Sequence, residues 1–105
     1  ISSMGAALKT DTSKIKFGNL SNSKNCSLAK FVRKRLRKRE VDISKIKCVW
    51  SEEQIVLPPQ ALEFDTSDVS SGRIRHTLGS LPTITAIFGL TIANNLILEI
   101  SASKK

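Results

Sequence analysis

Two sets of side chains in this sequence are of the right type and spacing to act on an anion. The denser lies between Ala29 and Arg39, where Lys30, Arg33, Lys34, Arg35, Arg37, Lys38 and Arg39 make up seven of the chain's 17 Lys and Arg residues. Cations at that density hold phosphates as charge-assisted donors, and docking along a phosphate backbone releases its condensed counterions. The second set is Arg73, Arg75 and His76. Its two guanidiniums suit a carboxylate or a phosphate. His76, the only histidine, has an ordinary pKa of about 6.5, fit for proton transfer near neutrality. No carboxylate or nucleophile is tied to it by spacing, so the residues alone describe a lone surface imidazole and leave the catalytic residue unassigned.

Cys26 and Cys48 are too few for a disulfide scaffold and lack C-x-x-C spacing, so neither a metal site nor a redox motif is expected and the thiols are read as reduced. Cys48 falls on the apolar side of a strand and is expected to pack. Cys26 precedes the basic run, where a helix N-terminus would favour its thiolate. Neither G-x-G-x-x-G nor G-x-x-x-x-G-K-S/T occurs, so the chain has no recognisable phosphate-cradling loop and is not expected to bind ATP by itself.

The elements that must carry these groups follow from periodicity. Leu28, Phe31, Val32 and Leu36 recur at i, i+3, i+4 and i+8, which predicts an amphipathic helix over 26–39 docked by that stripe, with Ser27 as N-cap and the cations outward. Lys14 to Phe17 alternates lysine with Ile15 and Phe17 and predicts a strand within a strand-and-loop region over 1–20. Ile46, Cys48 and Trp50 share one side of a second strand region over 45–57, which Pro58-Pro59 stops. A long loop over 60–79 carries Arg73, Arg75 and His76 and is a candidate cover for an active site. A core helix is predicted over 81–100, with Pro82 at its first position and Ser80 near its N-cap. No charge occurs from Leu81 to Leu98, a length that can span a bilayer. Pro82, Thr83, Thr85, Gly89, Thr91, Asn94 and Asn95 burden a lipid-facing helix, so the sequence favours burial in a protein core.

With 105 residues the chain is one domain at most. Its net charge of +8 and pI near 9.9 favour nucleic acid or another phosphate-rich partner. Ile1-Ser2-Ser3-Met4-Gly5-Ala6 is no signal peptide and reads as a strand leaving a sheet for a loop. Two or three short strands cannot cover a helix apolar on all sides, so a dimer or a further part of the same protein is expected.

Taken in order, several runs resemble the tRNA threonylcarbamoyladenosine dehydratases, a branch of the ThiF/MoeB/HesA adenylating enzymes related to ubiquitin-activating enzymes. Ser3-Met4-Gly5-Ala6 and Lys9-Thr10-Asp11-Thr12-Ser13-Lys14-Ile15 resemble that family's strand exit and Asp-Pro-Thr-Arg-Ile-like run, with Thr12 where proline is usual. Val32 to Arg39 resembles its Arg-rich helix, and Lys47-Cys48-Val49-Trp50-Ser51-Glu52-Glu53 its Val-Phe-Ser-Thr-Glu strand end. Leu78-Gly79-Ser80-Leu81-Pro82 through Ile87-Phe88-Gly89-Leu90 resembles the glycine-rich approach to its last helix.

The resemblance implies an α/β fold: the C-terminal part of a Rossmann-like ThiF/MoeB-type domain, with short strands, a basic amphipathic helix and a buried C-terminal helix. It implies an ATP-dependent dehydratase, or cyclase, in which the carboxylate of a threonylcarbamoyl group on tRNA is activated by the nucleotide and closed into a ring. ATP and Mg are then expected for the complete protein, held by a nucleotide-binding half that precedes this region, with none bound by this segment alone. Partners implied are tRNA and a second copy in a homodimer. Localisation is expected to be intracellular, cytoplasmic or mitochondrial, with outer-membrane attachment known in some eukaryotic relatives. Arg73-Ile74-Arg75-His76-Thr77 lacks the cysteine of the bacterial members, so no thiol step carries over. The competing readings are a non-enzymatic basic RNA-binding module and a catalytically inactive ThiF-like interaction partner.

Overall fold

The fold is organised by one short strand whose residues are apolar in both directions. In the computed structural model, which describes residues 1–55 and 79–103, β1 (Ser2–Ser3), β2 (Ile15–Asn19), α1 (Ser27–Lys38), β3 (Lys47–Ser51) and α2 (Pro82–Ser103) follow in that order. The sheet order is β1-β3-β2. β1 runs parallel to β3, with Ser2 opposite Cys48 and Ser3 opposite Val49. β2 runs antiparallel, with Phe17 opposite Val49 and Lys16 opposite Trp50.

Alternate residues of a strand point to opposite faces, so Cys48 and Trp50 face one side of β3 and Val49 the other. All three are buried, and the central strand must therefore be covered twice. Cys48 and Trp50 pack with Met4, Leu20, Cys26, Ala29 and Ile43, joined by Val32, Leu36 and Ile46, which seats α1 on that face. Val49 packs with Ile84 and Phe88, joined by Ala6, Ile15, Phe17 and Ile92, which seats α2 on the other. A helix lies on each face of a short mixed sheet, in keeping with the α/β class expected.

The first correction concerns the start of α1. Its N-cap is Cys26, not Ser27: Cys26 has extended backbone and its Sγ accepts the Ala29 N–H at 3.5 Å. Asn25 just before it adopts a φ of 57°, and that turn puts the thiol, one residue earlier than the hydroxyl, against the free N–H groups. At the far end Glu40 takes a φ of 58°. Its N–H donates to the Arg37 carbonyl at 3.1 Å, and the Val41 N–H donates to the Leu36 carbonyl at 3.0 Å. This pair of bonds is the Schellman stop, made here without the usual glycine.

The docking stripe of α1 is also narrower than its spacing suggests. Ala29 is fully buried and Val32 and Leu36 partly so, whereas Leu28 and Phe31 are exposed. The sheet face is met by the side of the helix centred on Ala29, and Phe31 lies beyond its edge.

The second correction is larger. The helix predicted as a buried core element runs from Pro82 to Ser103, and within it only Ile84 and Phe88 are buried. Leu90, Leu96, Ile97, Leu98 and Ile100 are exposed. Three short strands offer apolar partners only to its first two turns and the adjoining Ile92. By length and a mean hydropathy of 1.5, α2 is long and apolar enough to cross a membrane, although the same composition also suits a helix covered by protein. Its N-terminal carbonyl comes from Leu81, which accepts from the Ile84 and Thr85 N–H groups, with Pro82 in the first turn as expected.

Candidate nucleic-acid interface and strand-end network

α1 presents its cations in two rows. Lys30, Lys34 and Arg37, spaced i, i+4, i+7, form one exposed row along the side away from Ala29. Arg35, Lys38 and Arg39 form the other and, with Val32 and Leu36, line a shallow groove of about 550 Å³. Arg33 stands apart from both. It is only half-exposed, and its Nη1 donates to the Ser23 carbonyl at 3.0 Å and to the Ser23 hydroxyl. Through Nη1 that guanidinium fastens α1 to the end of the turn at Leu20–Asn22, with its Nε and Nη2 donors left over. Among the described residues the one ion pair is Lys47 with Glu99 at 3.2 Å, between β3 and α2, so no carboxylate there neutralises an α1 cation. Arg73, Arg75 and His76 lie outside the described residues.

The parallel strands β1 and β3 end on the same edge of the sheet, and in open α/β sheets that edge is where ligand crevices form. Here it is closed by a polar network that periodicity alone did not reveal. Lys9 is only 2% exposed, and its Nζ donates to the carbonyls of Asn25 at 3.0 Å, of Ser51 at 3.3 Å, and of Glu53. Burial holds this ammonium below its ordinary pKa of 10.5, with Cys26 and Glu53 pulling the other way. The Glu53 carboxylate accepts from the main-chain N–H groups of Thr10 at 2.7 Å and Asp11 at 3.1 Å and from the Thr10 hydroxyl at 3.0 Å. The Asp11 and Thr10 N–H groups hold the Glu53 carboxyl below its ordinary value of 4.5. The Leu8 N–H donates to the Gly79 carbonyl at 3.0 Å, which brings the approach to α2 onto the same loop.

A buried lysine with charged neighbours is an obvious candidate for phosphate binding, but this one has three carbonyls for its three N–H donors. Among the described residues no group of three or more His, Cys, Asp or Glu side chains could hold a metal ion. The described strand end is a structural tie between Lys9, Glu53 and the main chain around them. Cys48 is likewise structural: burial first, then the nearby Cys26, pushes its thiol up from 9.0, so it packs as a neutral group. The signal for Lys9 and Glu53 was present in the Lys9-Thr10-Asp11 and Ser51-Glu52-Glu53 runs, but their pairing across 44 residues has no period to find it by.

No family model matches the chain. It is 35% identical over 96% of its length to tRNA threonylcarbamoyladenosine dehydratase 2 of Saccharomyces cerevisiae, and 32% identical over the same share to tRNA threonylcarbamoyladenosine dehydratase 1 of that yeast. The chain spans only 25% of either relative. Its fold matches a crystal structure of E. coli tRNA N6-threonylcarbamoyladenosine dehydratase, TcdA, in complex with AMP, with a TM-score of 0.69 and 22% identity over 96% of this chain and 37% of that one. A second TcdA (CsdL) structure matches with a TM-score of 0.70 at the same identity, over 39% of its length. The chain order β1-β2-α1-β3-α2 folds as part of a ThiF-like domain, and over nearly all of its length this chain is similar in sequence to a quarter of each of two tRNA threonylcarbamoyladenosine dehydratases.

Proposed function

We propose that this chain is the substrate-side part of an ATP-dependent tRNA threonylcarbamoyladenosine dehydratase and that α1 is its tRNA-facing surface. The observation that carries the reading is the pair of open cation rows on α1, with no acid paired to them among the described residues, in a chain 35% and 32% identical to two enzymes of that name. Lys30, Lys34 and Arg37 grip phosphates on one side and Arg35, Lys38 and Arg39 on the other, while Arg33 keeps the helix in place. Such contacts position an RNA without reading its sequence. ATP with Mg, held elsewhere in the protein, supplies activation of the carboxylate. Arg73, Arg75 and His76 complete the proposal as the substrate loop. The protein acts inside the cell, in the cytoplasm or mitochondria, and a second copy covers part of α2 in a homodimer.

The test is ATP-dependent cyclisation of threonylcarbamoyladenosine in tRNA by the full-length native polypeptide, compared with Lys30→Glu/Lys34→Glu/Arg37→Glu. The triple variant is expected to raise the KM for tRNA by at least about tenfold, and the dependence of its binding on salt is expected to flatten by about three phosphate contacts. A native protein that binds tRNA but never cyclises it favours the RNA-binding-module or inactive-partner reading, and one that ignores tRNA overturns the proposal.

A further inference from the structure

Phe31 is out of place. It sits in the middle of the most charged element, it belongs to neither core cluster, and it is 62% exposed, although the apolar spacing of α1 assigned it to the docking face. Leu28, Phe31, Arg35 and Lys38 follow one another at i, i+3, i+7 and i+10, so all four share a flank of the helix. The ring is thus bracketed by an apolar side chain towards the N-terminus and by two exposed cations one and two turns on. The first of these, Arg35, lies about 6 Å further along the axis. The opposite flank, Lys30, Lys34 and Arg37, has no apolar member.

We propose that Phe31 is a stacking platform for an unpaired RNA base, with Arg35 and Lys38 gripping the phosphates beside it. The proposal rests on the RNA-facing reading of α1 and goes beyond it: phosphate contacts alone do not distinguish a duplex from a loop, whereas a stacking ring does. Bases in single-stranded loops splay onto aromatic side chains, and each such stack is sequence-tolerant because every base has a π-face. The flank matches this ligand better than it matches a membrane or a protein. Its exposed apolar groups are Leu28 and Phe31 alone, too narrow a stripe for an interfacial helix, which needs a continuous apolar face. Its charge is wholly positive, which suits a polyanion.

The experiment compares two RNA probes with equal numbers of phosphates, a hairpin with an unpaired loop and a blunt duplex, against the full-length protein, Phe31→Ala and Phe31→Trp. The native protein is expected to prefer the hairpin. Phe31→Ala is expected to lose on the order of tenfold in hairpin affinity with duplex affinity unchanged, and Phe31→Trp to restore the preference. Because the ring is exposed, all three proteins are expected to melt together, which separates a binding loss from a folding loss. Hairpin binding that Phe31→Ala leaves intact overturns the inference alone, as does an equal loss on both probes or a stronger Phe31-dependent binding to anionic vesicles. Failure of the native protein to bind either RNA overturns the RNA-facing reading of α1 as well.

Discussion

The two helices of this chain reverse the usual association of hydropathy with burial. α1 is dense with charge, yet its Ala29 side is docked on the core; α2 has no charge before Glu99, yet most of its length is exposed. The difference lies in what the sheet offers each of them. α1 has a narrow apolar side, and Met4, Leu20, Ile43, Cys48 and Trp50 supply a surface of about the same width. α2 is apolar around its girth, but its sheet face consists of Val49 with the partly buried Ala6, Ile15 and Phe17, enough for Ile84 and Phe88 and little more. Amphipathicity tells how much cover a helix needs, whereas hydropathy alone tells only that it would accept more.

This contrast is sharpest where α2 stops being covered. Phe88→Ala removes one of the two buried anchors that hold α2 to the sheet and is expected to destabilise the protein by about 3 to 5 kcal/mol. Ile97→Ser, about two and a half turns on and 61% exposed, is expected to stay within about 0.5 kcal/mol. Chemical denaturation of the two variants gives the comparison directly. If Ile97→Ser costs as much as Phe88→Ala, the distal half of α2 is covered in the native protein and the contrast with α1 is a property of this segment alone.

Lys9 tests what joins the two sides. Its ammonium holds Asn25, which leads into α1, and Ser51 and Glu53 at the end of β3, while its neighbour Leu8 holds the approach to α2 through Gly79. Lys9→Met keeps the stem and removes the donors. Relief of the buried charge favours the variant, but the Ser51 carbonyl and its neighbours lose their donor, and the expected net loss is about 2 kcal/mol. Hydrogen exchange is expected to rise at the α1 N-terminus and at the Leu8 amide together; a rise on one side only means that the network does not couple them.

What could be read from the sequence follows the same division. β2, β3 and α1 have periods that match their surroundings, so Ile15, Phe17, Cys48 and Trp50 could be placed before any coordinates. The cations of α1 were legible as a set, but Arg33 and Phe31 were not legible as exceptions. Arg33 turns inward because Ser23 lies within reach, and Phe31 faces outward because it stands about 200° round the helix from the buried Ala29. Both depend on which side of α1 the rest of the fold covers, which no local spacing encodes. The burial expected of α2 failed for the same reason. Lys9 and Glu53 escaped because a polar tie between distant loops has neither a period nor a composition.

The smallest expected effect separates a long-range carboxylate from a local one. Glu53 accepts from Asp11 and Thr10, partners that part from it when the chain unfolds, whereas Asp42 accepts from Ser44 within its own turn at 3.0 Å. Both carboxyls are held below their ordinary values, Glu53 by the Asp11 and Thr10 N–H groups and Asp42 by the Ser44 hydroxyl and N–H. A carboxyl whose folded pKa is depressed contributes stability that is present above its unfolded value and is lost as pH falls through the folded one. For Glu53 that loss begins near 4.5 and continues below it. A local Asx turn can persist in the unfolded chain, so the Asp42 pKa differs less between the two states. Glu53→Gln is therefore expected to flatten the acid limb of a Tm-against-pH curve more than Asp42→Asn does, with the curves converging on the native one at the acid extreme. Equal flattening by the two variants means that the Thr10–Asp11 loop already meets Glu53 in the unfolded chain, and the strand-end tie is then local in its energetics although it is long-range in sequence.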